Sequence, residues 1–83
     1  MLMTQKNYKT IRQLEVNQRA KILEIRANGE LGRRIRDMGI LPGVELMVVG
    51  RAPLNDPVAI KINNFTITLR NNEADHIIVD TNL

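Results

Sequence analysis

The side chains that could do chemistry in this sequence are few and poorly placed for one another. Asp37, Asp56 and Glu73 are the carboxylates that acid–base catalysis would recruit. They fall on separate elements, with no histidine, serine or cysteine arranged beside them as a relay. His76, the single histidine, is flanked by Asp75 and lies near Asp80, which makes the beginning of a surface metal site. A stable site needs three or four convergent ligands, and a lone histidine before an apolar strand is ordinarily just solvated, so no metal ligand is assigned. The chain has no cysteine, which removes disulfides and thiolate metal sites. A GxxxxGK[ST] phosphate loop is missing too, and with it that route to nucleotide hydrolysis. The expectation is a protein that is not an enzyme and holds no cofactor.

The informative residues shape backbone instead. Between Leu31 and Pro57 the chain reads as a short amphipathic helix, a Met38-Gly39-Ile40-Leu41-Pro42-Gly43 turn, an apolar strand and an Ala52-Pro53-Leu54-Asn55-Asp56-Pro57 loop. Punctuation this dense builds a surface, which points to binding. Leu31, Ile35 and Met38 at i, i+4 and i+7 form one stripe, while Arg33, Arg36 and Asp37 point away. The pairs Glu30–Arg34 and Arg33–Asp37 have the i, i+4 spacing of helix ion pairs. Gly39 suits a left-handed cap, and Pro42-Gly43 suits a type II turn. Leu54 stands on a polar loop with no local burial to account for it, and two prolines stiffen that loop.

The flanks supply strands. Thr10–Leu14 reads as one helical turn capped by Thr10, and Asn17 suits a left-handed turn. Gln18–Arg26 reads as a strand whose apolar residues change parity, from Ala20 and Ile22 to Leu23 and Ile25, as a bulge would allow. Glu45–Arg51 is apolar on both parities, so its second face is compatible with weak self-association. Val58, Ile60 and Ile62, then Phe65, Ile67 and Leu69, alternate with polar residues about Asn63-Asn64, which can take both positive-φ positions of a tight hairpin. A short helical turn at Asn71–Asp75 and a strand through Ile77 and Val79 finish the chain. Five short strands predict a mainly β fold, a small closed barrel with an inserted short α-helix.

Eighty-three residues make one domain, close to the size at which a single core only just suffices. Residues 1–9 are expected to be flexible and 10–83 to fold. The net charge of +3, from 12 basic and 9 acidic residues, is interspersed, so the mildly basic surface permits a nucleic-acid or acidic-protein partner without demanding one. Met1–Lys9 lacks a secretory signal core, and no stretch approaches the ~18 apolar residues of a membrane span. Cytoplasmic placement without direct membrane insertion follows as the expectation.

Gly39-Ile40-Leu41-Pro42-Gly43, Arg51-Ala52-Pro53-Leu54 with Asp56-Pro57, and Leu69-Arg70 with Glu73-Ala74 before Ile77 and Val79 resemble the bacterial ferrous iron transport protein A (FeoA) family. The likeness runs from about Ile11 to Asp80. It implies an SH3-like barrel in the cytosol, an accessory that binds the cytosolic part of the GTP-binding ferrous iron transporter. The partner surface it suggests comprises Leu41, Pro42 and Gly43 with Ala52, Pro53, Leu54, Asp56 and Pro57, and Arg33 and Arg51 at its rim. Asn55 stands where glycine is usual, and asparagine is the next-best residue for positive φ. Asn71 stands where lysine is common, so a role for positive charge there does not carry over.

Two alternatives remain, a small nucleic-acid-binding barrel and a free-standing metal-responsive regulatory module. One Tyr and one Phe leave little on which to stack a base, and Phe65 alternates with core residues. No nucleic-acid partner is expected. Gly43→Val is predicted to destabilise the fold by roughly 1–3 kcal/mol, because a β-branched residue is forced toward positive φ. An unchanged melting midpoint would remove the Pro42-Gly43 turn.

Overall fold

The computed structural model describes residues 8–54 and 56–82. Among them are six strands: β1 (Tyr8–Thr10), β2 (Arg19–Ile25), β3 (Glu45–Arg51), β4 (Val58–Ile62), β5 (Phe65–Leu69) and β6 (Ile77–Asp80). A 3-10 turn (Ile11–Gln13) follows β1, α1 (Gly29–Asp37) lies between β2 and β3, and α2 (Asn71–Ala74) precedes β6. The strands form one antiparallel sheet in the order β1-β6-β2-β3-β4-β5. The mainly β class with one inserted short helix holds, and the strand count rises from five to six. The extra strand is polar Tyr8-Lys9-Thr10, whose backbone pairs with Ile78–Asp80 although its side chains carry no strand pattern. β1 thus includes Tyr8 and Lys9, which the expectation had placed in the N-terminal segment, and residues 1–7 of that segment lie outside the described residues.

Apolar residues on one face of each long strand meet in a single core. Ala20 and Ile22, Leu46 and Val48, Val58 and Ile60, Leu69, Ile77 and Val79 are buried, together with Ile11 and Leu14 from the N-terminal turn and Ile35 and Ile40 around the helix. The parity change in β2 is resolved as expected: the register with β6 shifts between Ile22 and Glu24, and Ile25 packs against the core from the other phase. A second shift between Val48 and Gly50 bends β3 against β4.

The turns follow local chemistry with two differences. Asn17 and Gly39 have φ of 75° and 88°, and Gly43 at 93° takes the second central position of a turn closed by Val44 N–H donating to Leu41 O at 3.1 Å. In the β4–β5 hairpin only Asn63 has positive φ (54°), so one left-handed residue suffices where two were expected. At the N-terminal turn, Thr10 does not cap with its own hydroxyl. Its N–H donates to Gln13 Oε1 at 2.8 Å instead. Phe65 also departs from the alternation: it is 71% exposed, because it opens β5 at the hairpin tip, beyond the reach of the core.

α1 docks through Ile35, with Leu31 and Met38 partly buried beside it. Gly32 is buried as well, and a Cβ there would lie 2.3 Å from the Ala27 carbonyl oxygen. Glycine at this position sets how closely the helix approaches its own entry loop. In an open helix Gly→Ala stabilises by about 1 kcal/mol. Here the sign should reverse, and Gly32→Ala is predicted to destabilise by about 1–3 kcal/mol in urea denaturation, since backbone must move. A gain in stability would refute the contact.

Candidate partner-docking surface

The loop from Ala52 to Pro57 is fastened at its base, at its far side and at its entry. Ala52 N–H donates to Pro57 O at 3.0 Å, closing the base. Asp56 Oδ1 accepts from the Asn71 N–H at 3.0 Å, tying the far side to the first turn of α2. Arg51, the last residue of β3, turns its guanidinium onto the carbonyls of the N-terminal turn: Nε donates to Leu14 O at 3.2 Å, and an η nitrogen donates to Ile11 O at 3.3 Å, to Arg12 O at 2.6 Å and to Leu14 O. Ile11 O already accepts from the Leu14 N–H at 3.1 Å, whereas the Arg12 and Leu14 carbonyls have no donor within the turn, and a guanidinium with five N–H groups in a fixed fork suits them. Asn55, the expected left-handed residue, lies outside the described residues.

What this frame holds out is Leu54, 88% exposed. Behind it is a shallow depression lined by Arg12, Leu14, Arg51, Leu54 and Asn71. The Asn71 side-chain oxygen is buried there without a hydrogen-bond donor among the described residues. Arg12 was not singled out in the sequence, and Asn71 only as a departure from the family pattern; their place depends on long-range contacts, such as the Arg12–Asp75 ion pair at 3.1 Å.

α2 links this loop to the helix. Glu73 is 7% exposed, with one carboxylate oxygen accepting the Arg70 N–H at 2.9 Å and the other pairing with Arg34 at 2.8 Å. Arg34 is thus drawn to α2 and away from Glu30, which pairs with Arg33 at 3.4 Å in an i, i+3 contact. Neither expected i, i+4 pair forms. The Glu30–Arg33 pair is exposed and contributes little to stability.

Of the residues assigned to one surface, the structure unites only part. Ala52, Pro53, Leu54, Asp56 and Pro57 form one loop, connected through Asn71, Glu73 and Arg34 to the α1 face that carries Arg33. Leu41, Pro42 and Gly43 are exposed, but they precede β3 while the loop follows it, so roughly 20 Å of strand separates them. Sequence proximity to β3 placed them together, and the extended strand holds them apart. Arg51 is occupied by carbonyls, which makes it a brace where a rim contact was expected. Among the described residues no three of His, Asp and Glu converge as metal ligands, and the His76 Nδ1 lies 2.7 Å from Asn72 O.

A family model, the FeoA domain, matches residues 9–81. The chain belongs to the FeoA family. It is 34% identical over 68 residues to a fusion protein of Porphyromonas gingivalis that joins Fe(2+) transport protein A to the Fe(2+) transporter FeoB; the match covers 82% of this chain and 8% of the fusion. The FeoA-like protein of Clostridium acetobutylicum superposes with a TM-score of 0.85 at 31% identity, over 96% of this chain and 92% of the other. FeoA of Stenotrophomonas maltophilia, described as a prokaryotic SH3 domain protein and solved with zinc, superposes at 0.76 with 26% identity, over 87% and 89%. The fold is accordingly SH3-like, and the family is linked to ferrous iron transport.

The brace can be tested apart from any partner. Arg51→Ala leaves the Arg12 and Leu14 carbonyls without their side-chain donor and should destabilise by about 2 kcal/mol or more, while Asp56→Ala, which strips a helix-terminal N–H, should cost about 1 kcal/mol. Chemical denaturation of both variants checks the order. Parental stability for Arg51→Ala would show that solvent replaces the brace freely.

Proposed function

We propose that the protein is a cytosolic accessory of ferrous iron uptake that docks on the cytosolic part of the GTP-binding ferrous iron transporter and supports or regulates transport, with no catalysis of its own. The observation that carries this reading is Leu54, almost fully exposed on a loop whose base, entry and far side are each hydrogen-bonded. An apolar side chain held on a rigid frame loses little entropy on docking, so most of its burial counts toward affinity. The depression behind it adds polar specificity, because Arg12 and Asn71 line it beside the apolar Leu14 and Leu54.

Covalent fusion to a transporter in the Porphyromonas gingivalis relative supports the choice of partner, since two domains on one chain work at high effective concentration. This chain corresponds to a small fraction of that fusion, so the transporter's own activity belongs to the partner. Among the described residues no helix is long and apolar enough to cross a membrane, in keeping with a part that works beside one. A nucleic-acid partner is less well supported: one Tyr and one Phe leave little on which to stack successive bases.

Leu54→Asp is expected to weaken capture of the transporter's cytosolic portion by roughly 2 kcal/mol or more, as for a central apolar contact, while its melting curve matches the parent. Arg33→Ala should mainly slow association, with salt masking the difference. Undiminished capture by Leu54→Asp would place the interface elsewhere.

A further inference from the structure

Strand β5 ends the sheet, paired with β4 on one side only. The two-residue Asn63-Asn64 loop makes Ile62 and Phe65 a hydrogen-bonded pair, and the register continues through Ile60–Ile67 and Val58–Leu69. The backbone groups of Phe65, Ile67 and Leu69 are thereby spent on β4. Those of Thr66 and Thr68 face outward. Both threonines are exposed, and the strand carries no charge, proline or register shift. Sheet edges are ordinarily protected by just such features, and an edge lacking all of them is a template for another strand.

The order of residue types says which strand fits. Phe65-Thr66-Ile67-Thr68-Leu69 reads apolar, threonine, isoleucine, threonine, apolar in either direction. We infer that β5 is a self-pairing edge, joining a second copy of this chain in an antiparallel, two-fold arrangement centred on Ile67. Ile67 then faces Ile67 of the second copy as a non-hydrogen-bonded pair. Thr66 meets Thr68 of the second copy on both sides of the axis, and these are the residues whose N–H and C=O groups are free to exchange hydrogen bonds. Threonine opposite threonine is a favourable cross-strand pair. Phe65, 71% exposed, comes to lie in register with Leu69 of the second copy, whose side chain stays within its own core.

A two-fold arrangement uses the same patch on each copy and closes at a dimer. β1, the other end strand, has three residues and carries Lys9, so it offers a shorter and charged edge. β3, whose second face the sequence offered for self-association, is paired on both sides with β2 and β4, and has only side chains such as Met47 and Val49 to present. The β5 edge uses backbone groups separate from the Leu54 loop, so the two readings stand or fall independently.

Sedimentation equilibrium of the full chain over a concentration series tests the pairing. The parent should show a monomer–dimer equilibrium. The double variant Thr66→Lys with Thr68→Lys sets like charges directly opposite one another and should weaken the dimer about tenfold or more. Thr66→Glu with Thr68→Glu should behave likewise alone, and an equimolar mixture of the two double variants should restore the dimer as a heterodimer. A parent that remains monomeric up to about 1 mM, the weak limit of specific pairing, overturns the proposal. So does a dimer that survives the like charges, or a mixture that stays monomeric. Because substitutions can disturb the fold, amide NMR of the parent gives a reading free of them: concentration-dependent shifts should centre on the Thr66 and Thr68 amides. Shifts centred on Met47 and Val49 would overturn the proposal in favour of β3.

Discussion

The Arg51 guanidinium is the interaction on which the rest of the candidate surface depends. It sits at the end of β3, half-buried, and meets the carbonyls of Ile11, Arg12 and Leu14 where a carboxylate partner would be usual. The arrangement solves two problems together. The Arg12 and Leu14 carbonyls at the end of the 3-10 turn gain donors, and a partly desolvated cation gains acceptors with little cost in rotamer freedom. The consequence reaches further than the contact, because the Ala52–Pro57 loop starts from the residue so anchored. If Arg51 were free, the loop would leave the sheet from a mobile strand end, and Leu54 would sample many positions.

α2 provides the second fixed point. A four-residue helix has almost no stability of its own, since nucleation fixes several residues for one hydrogen bond. Here its first donors are met by side chains: its own Glu73 takes the Arg70 N–H, and Asp56 from the preceding loop takes the Asn71 N–H. Glu73 in turn holds Arg34 on α1. Burial separates this ion pair from the others, because the Glu73 side chain is 9% exposed whereas both partners in the remaining pairs are well solvated. Removing Arg34 would leave a nearly buried carboxylate with one backbone donor, a costlier loss than breaking a surface pair. Loop, α2 and α1 are therefore mechanically one unit, and the turn around Pro42 is outside it.

Much of the fold was legible because it is dictated locally. Gly39 and Gly43 were identifiable as left-handed positions, Glu45–Arg51 matched its strand bounds, and the parity change in β2 foretold the bulge. What the sequence hid was decided at long range. Tyr8–Thr10 carries no strand pattern and becomes one by lending its backbone to β6. Arg34 and Glu73 are 39 residues apart, so the i, i+4 rule pointed to the wrong partner. Gly32 looked like an ordinary helix residue until the Ala27 carbonyl was placed against it. For the candidate surface, the exposed Leu54 was readable from a leucine in a polar loop, but the role of Arg51 was not, because a guanidinium on backbone carbonyls has no sequence spacing. The same limitation placed Leu41 and Leu54 on one surface, when strand geometry sets them at opposite ends of β3.

The central claim is that the transporter's cytosolic portion is met by Leu54 and the depression behind it. Methyl-labelled NMR of this chain, titrated with that portion of the transporter, tests it most directly. The account predicts that the Leu54 methyls broaden or shift first, together with the Asn71 side-chain amide and the Leu14 methyls, while Leu41 and Phe65 stay unchanged. Perturbations that begin at Leu41 and leave Leu54 at its free position would contradict it.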